Sequence, residues 1–203
     1  TELTLLYIDD VIADFIVTLQ GVDEGLSYLL VEPEYKVSLG ELADQIKAFK
    51  RSRTSLLSEP VGAGFVRALY STYMSYLKPD QFSYPLLQHA DERGIFVEML
   101  KTKESGQFSF FTVHPDVTRG GHYHNSKTEK FLVLKGSARF RFSHMVTHEI
   151  YEMFTNGDQS IVVDTVPGWA HNITNVGDED MIVMIWANEI FDREQPDTVV
   201  TKV

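Results

Sequence analysis

Gly120-Gly121-His122-Tyr123-His124-Asn125-Ser126-Lys127-Thr128-Glu129 is the stretch on which the reading of this chain turns. On an extended strand residues i and i+2 share a face, so His122 and His124 present two imidazoles side by side. Glu129 follows a short turn and can return to that face from the next strand. Further along, Val166-Pro167-Gly168-Trp169-Ala170-His171-Asn172-Ile173-Thr174-Asn175 sets a tight Pro-Gly turn just ahead of a third imidazole, His171. Three imidazoles and one carboxylate suit a borderline divalent ion such as Zn, Mn, Fe or Ni, with coordination positions left open for a ligand. A lone His-x-His is ordinarily surface or core packing. Here three of only seven histidines fall in two segments of the same turn–strand character, and a metal site is the expectation.

Around this stretch the hydrophobic period is two. Residues 94–100, 107–113, 131–134, 138–142, 159–163 and 181–186 read as strands, separated by clusters of Gly, Asp, Asn and Pro. Many short strands without intervening helices make a sandwich or barrel. Before Pro79-Asp80 the pattern is helical instead. Asp9 and Asp10 are expected to cap a helix carrying Val11, Ile12, Phe15, Ile16 and Leu19. Ser38 and Glu41 form a capping box that opens a second helix with Leu42, Ile46 and Phe49 on one face. A third helix aligns Val66, Leu69, Tyr70, Tyr73, Met74 and Leu77 in an apolar stripe, read as core packing. The expected class is α+β: a mostly helical segment over 1–84, then an all-β domain over 85–203.

Composition sets outer limits. With 43% apolar and 23% charged residues the 203-residue chain is globular rather than fibrous or disordered. It has no Cys, which excludes disulfides, thiol nucleophiles and thiolate metal sites. No apolar run approaches the roughly 20 residues that span a bilayer. The start, Thr1-Glu2-Leu3-Thr4, lacks a charged-then-apolar leader, so a cytoplasmic chain cut from something longer is expected. A net charge of −11 disfavours nucleic acid and anionic lipid, so an anionic ligand must meet a local basic site.

The pattern Gly121-His122-x-His124-x4-Glu129-x6-Gly136, followed by Pro167-Gly168-x2-His171-x3-Asn175, resembles the two-part cupin signature. That resemblance implies a double-stranded β-helix (jelly-roll) barrel with the metal near its mouth. Leu5-Leu6-Tyr7-Ile8-Asp9-Asp10-Val11 is similar to the segment opening the substrate-side part of extended short-chain dehydrogenases. Joined to a cupin with Thr118-Arg119-Gly120-Gly121-His122-Tyr123-His124 and the Trp169 turn, it resembles the C-terminal part of CapF-type bifunctional UDP-sugar epimerase/reductases of capsule and O-antigen synthesis. In that family the cupin domain epimerises carbon 3 of a UDP-4-keto-6-deoxy-2-acetamido-hexose, and the dehydrogenase domain reduces carbon 4 with NADPH. The chain holds neither a strand–Gly-x-x-Gly-x-x-Gly–helix nor a Tyr-x-x-x-Lys pair in a suitable helix, so NADP binding is not carried over. The family further implies a homodimer through the cupin domain, with zinc the expected ion.

The chemistry so implied is removal of a proton alpha to a ketone, with the ion held by His122, His124, Glu129 and His171 as Lewis acid. His114, at the end of the 108–113 strand, and Lys127, beside the ligands, are the two candidate bases. Arg119-Gly120-Gly121-His122 is also similar to the Arg-Gly-x-His segment of metal-free dTDP-sugar 3,5-epimerases, in which the His is the base. Arg119 suits a diphosphate because its planar fork matches phosphate oxygens. Arg139 and Arg141, alternating with Phe140 and Phe142, line either the barrel mouth or the wet side of a sheet. Trp169 either stacks on uracil or sugar or packs over the site. A metal-dependent oxygenase or oxidase, and a non-catalytic nucleotide-sugar-binding module, are the competing functions.

Overall fold

The computed structural model describes residues 1–21, 28 and 30–203. They form two compact units, one of Thr1–Ser55 and Glu59–Ser83, the other of Leu56–Ser58 and Tyr84–Val203. Among the described residues the architecture is mostly β, with three helices of four residues or more confined to the first unit.

The first unit is less purely helical than its pattern suggests. Strand β1 (Glu2–Leu5) pairs antiparallel with β2 (Tyr35–Ser38), Leu3 lying opposite Val37. Between them runs α1 (Ile8–Gln20), whose N-cap is Tyr7. Asp9 and Asp10 therefore sit in its first turn rather than at the cap, where their charges favour the positive end of the helix dipole. Helix α2 (Leu39–Ser55) opens on the expected box: Glu41 N–H donates to Ser38 Oγ at 3.2 Å and Ser38 N–H donates to Glu41 Oε2 at 2.9 Å. Two amide donors that a helix start leaves unpaired are satisfied reciprocally. Phe49 of α2 is 1% exposed and meets Tyr70 of α3 (Gly64–Ser75) edge-on at 5.0 Å, with Tyr73 at 5.7 Å. For these rings the stripe is packing, whereas Met74 is exposed. Helix α3 ends at Ser75, short of the Leu77 that the pattern included.

The second unit carries β3 (Leu57–Ser58), β4 (Gln88–Asp91), β5 (Gly94–Thr102), β6 (Gly106–Val113), β7 (Thr118–Tyr123) and β8 (Glu129–Lys135). There follow β9 (Ser137–His144), β10 (Ile150–Asn156), β11 (Val162–Asp164), β12 (Trp169–Asn175), β13 (Met181–Ala187) and β14 (Val199–Val200). One sheet runs β10-β9-β12-β7-β14, the other β11-β8-β13-β6-β5-β3 with β4 added on β5. All pairings are antiparallel except β3 on β5. The strand expected over 159–163 starts only at Val162, and β10, an edge strand with Ile150, Tyr151 and Phe154 exposed, escaped the sequence pattern altogether.

Phe111, Val113, Phe131, Val133, Met181 and Val183 from one sheet close on Ala138, Phe140, Phe142 and Ile173 from the other in a single core. Period-two alternation places them. On β6 the inward set is Gln107, Ser109, Phe111 and Val113, polar at one end and apolar at the other. The polar end is where the site lies.

Asn175 ties the opposite end. It is wholly buried, its Nδ2 donating to Val113 O at 2.8 Å and Glu179 O at 2.7 Å, while its Oδ1 accepts from Gly177 N at 3.0 Å. Truncating Asn175 to Ala strands three backbone groups in the core. We expect the Asn175→Ala variant to lose about 2–4 kcal/mol of unfolding free energy in urea titration, with the slope of the transition unchanged.

Candidate metal centre

Backbone register brings the four predicted ligands together. His171 lies opposite His122, but Asn172 lies opposite Gly120, so β7 spends one extra residue there, a β-bulge. Without it, the alternation that turns Arg119 inward would turn His122 outward. With it, Arg119 and His122 line the same cavity although three residues apart. Gly120 is required at this slip: its φ is +98°, and a Cβ would come within 2.9 Å of His171 O. Glu129 enters from the first residue of β8, its N–H donating to Thr165 Oγ1 at 2.8 Å.

One ligand atom from each of His122, His124, Glu129 and His171 can be chosen so that all lie within 4.8 Å of one another. Glu129 Oε2 is 3.4 Å from His124 Nε2 and 3.5 Å from His171 Nε2. These separations are long for hydrogen bonds. They match the roughly 3.3 Å edge of a tetrahedron whose metal–ligand bonds are about 2.0–2.1 Å. His124 Nε2 and His171 Nε2, the two ring nitrogens nearest Glu129 Oε2, are buried without a hydrogen-bond partner among the described residues. Orphaned, convergent nitrogens of this kind are what a cation would satisfy, and the donor set fits a divalent ion.

Electrostatics agree. Burial, reinforced by the neighbouring His171, pushes the His122 imidazole down to about 4, so it is neutral at pH 7, the state a metal ligand requires. Burial alone would raise the Glu129 carboxyl. The His124 and His171 imidazoles and the Lys127 ammonium outweigh it and hold Glu129 well below the usual carboxylate range. Lys127, 8% exposed, places Nζ 2.8 Å from Glu129 Oε1 and 5.8 Å from the centre of the Phe191 ring.

Two cavities meet at His122 and Glu129. One, of about 230 Å³, is walled by Arg119, Phe111, Phe140 and Ile173, the other, of about 400 Å³, by Gln107, Ser109, Lys127 and Phe191. Arg93 and Phe96 border both. Arg119 donates from Nε to Thr112 O at 3.2 Å and holds its guanidinium 5.6 Å from the Phe111 ring centre. Arg93 donates from Nε to Asp91 Oδ2 at 3.0 Å, and its hydrogen bonds draw the Asp91 carboxyl down to about 2. Sequence reading passed over Arg93, because an Arg in the β4–β5 turn looks like any solvated turn residue.

The remaining expected site residues stand elsewhere. His114 is exposed at the far end of β6 from Gln107, its Nδ1 2.8 Å from Asp180 Oδ1, and lines neither cavity. Arg139 and Arg141 alternate with buried Phe140 and Phe142, so they take the outer side of the sheet, where Arg141 Nε is 3.6 Å from Glu152. Trp169 packs on the core and meets His144 edge-on at 4.9 Å. It borders a separate apolar cavity of about 440 Å³ with Phe142, Tyr151 and Val163. The second residue that sequence reading missed is Asp197. Its carboxylate accepts from the backbone N–H groups of Asn125, Ser126 and Lys127 at 2.9, 2.7 and 2.8 Å, which hold it far below the usual carboxylate range.

Comparison with known proteins agrees with the fold. Residues 89–199 match the family model described as the polysaccharide biosynthesis C-terminal domain. All of the chain aligns at 59% identity with 54% of the length of the UDP-2-acetamido-2,6-beta-L-arabino-hexul-4-ose reductase of Pseudomonas aeruginosa strain PA103. At 23% identity, 55% of the chain aligns with 81% of the spore coat polysaccharide biosynthesis protein SpsL of Bacillus subtilis strain 168. The crystal structure of the capsular polysaccharide assembling protein CapF from Staphylococcus aureus superposes with a TM-score of 0.93 at 43% identity, covering 100% of this chain and 55% of that one. CapF with the inhibitor 3-isopropenyl-tropolone superposes with the same TM-score of 0.93. The chain thus spans about half the length of the reductase and of CapF. The resemblance to CapF-type enzymes holds across the whole chain, and the chain belongs to the polysaccharide biosynthesis C-terminal domain family.

Proposed function

We propose that this chain carries the isomerase step of a UDP-sugar pathway: metal-assisted epimerisation at carbon 3 of a UDP-4-keto-6-deoxy-2-acetamido-hexose. The observation that supports it most is the set of buried, unpartnered imidazole nitrogens converging on Glu129 where two cavities meet. A divalent ion held by His122, His124, Glu129 and His171, zinc in our reading, would supply Lewis-acid polarisation of a carbonyl oxygen. Arg93 and Arg119 give an acidic chain a local cationic wall for the diphosphate. Phe96, Phe111 and Phe140 exclude water from the sugar face of the cavity. Of the two expected bases, Lys127 faces the cavity and His114 does not. Lys127 therefore takes the acid–base role on one face of carbon 3. Its Nζ, held in place by Glu129, gives a proton as the ammonium and takes one as the amine, while water in the cavity would exchange the proton on the opposite face.

The reductase activity named for the Pseudomonas relative belongs, in this reading, to a dinucleotide-binding part that these residues do not supply, so NADP is not a ligand here. A homodimer through the β unit and a cytoplasmic location complete the proposal, and among the described residues no helix is long and apolar enough to cross a membrane.

In deuterium oxide, the metal-loaded protein should exchange the carbon 3 proton of the UDP-4-keto sugar, as followed by NMR. Chelation, or the His124→Ala substitution, should slow that exchange at least about 100-fold. Exchange that survives both points instead to metal-free chemistry at His122. Oxygen uptake should be absent, and its presence would favour the oxidase reading. Arg93→Ala should weaken UDP binding about 10- to 100-fold by calorimetry with metal content unchanged, and Arg93→Lys should not restore it, since the planar fork is lost.

A further inference from the structure

We propose that Asp197 is a positioning residue of the metal centre, acting from outside the ligand set by clamping the turn that follows His124. The inference rests on the metal reading above. Asp197 sits 73 residues from His124 in sequence, yet its two carboxylate oxygens take five donors of the turn that follows His124. Oδ1 accepts from Asn125 N at 2.9 Å and Asn125 Nδ2 at 2.8 Å. Oδ2 accepts from Ser126 N at 2.7 Å, Ser126 Oγ at 3.0 Å and Lys127 N at 2.8 Å. Three consecutive backbone N–H groups aimed at one carboxylate form an anion-binding concavity, and the protein fills it with its own side chain.

The same residue touches the ligand itself. Its backbone carbonyl accepts from His124 Nδ1, which fixes the tautomer that leaves Nε2 bare and directed at Glu129. Just beyond, β14 lies along β7 with Val200 opposite His122, and Thr201 N–H donates to Gly121 O at 2.9 Å. Residues 197–201 therefore form a strap that sets His124 through a hydrogen bond, Lys127 through the turn and His122 through a strand pairing. Outer contacts that orient ligands in this way ordinarily change metal affinity by about 10- to 100-fold when removed.

The test uses the whole chain, stripped of metal and titrated with Zn²⁺ and with Co²⁺, whose visible absorption reports coordination geometry. Asp197→Asn removes the second charge-bearing oxygen, and Asn125→Ala removes one donor while leaving the carboxylate in place. Asp197→Asn is expected to weaken Zn²⁺ binding about 10- to 100-fold and to shift the Co²⁺ spectrum, with the metal-free protein also melting lower because five hydrogen bonds to a carboxylate are weakened. Asn125→Ala is expected to weaken Zn²⁺ binding about threefold, and this variant decides the matter if Asp197→Asn does not fold. A lowered metal-free melting temperature with unchanged affinity and spectrum would show a purely structural contact and overturn the inference. Failure of the unsubstituted chain to bind either metal would overturn the metal reading, and this inference with it.

Discussion

Glu129 buries a carboxylate at the first position of a central strand, with His124, His171 and Lys127 about its two oxygens. A carboxylate taken out of water costs several kcal/mol unless charge and hydrogen bonds replace its hydration. The surrounding architecture answers that requirement. Strand β12 supplies His171, the bulged β7 supplies His122, and the turn after β7 supplies His124 and Lys127. The polar inward residues of β6, Gln107 and Ser109, border the same space, while the apolar half of that strand forms the core.

Compensation by one ammonium alone leaves the two imidazole nitrogens that face Glu129, His124 Nε2 and His171 Nε2, without a partner among the described residues. A merely structural ion pair would close its own hydrogen bonds. This arrangement instead keeps one oxygen of Glu129 for Lys127 and turns the other toward two ring nitrogens. The division gives Glu129 two roles, charge partner on one side and prospective ligand on the other. The two cavities fall on either side of it, so a substrate reaching the ligand cluster also reaches Lys127.

Much of this was legible in the chain because it is local. His122 and His124 share a face through a period of two, and Ser38 and Glu41 close a capping box across three residues. The features that were not legible depend on partners distant in sequence. The β7 bulge exists only against β12, and it alone brings Arg119 and His122 to one wall. Arg93 gains meaning from a cavity formed by β6, β9 and β12, and Asp197 from a turn some 70 residues earlier. Arg139 and Arg141 show the converse. Their alternation was plain, but which side of the sheet faces inward is set by the packing of Phe140 and Phe142, and alternation does not name it.

X-ray absorption at the metal edge, on protein loaded with one equivalent of zinc, tests the central claim most directly. The account predicts a single ion per chain in a shell of nitrogen and oxygen at about 2.0–2.1 Å, with the outer scattering of three imidazole rings, and loss of one ring in the His171→Ala variant. Zinc bound in substoichiometric amounts, or a shell unchanged by that substitution, would contradict it.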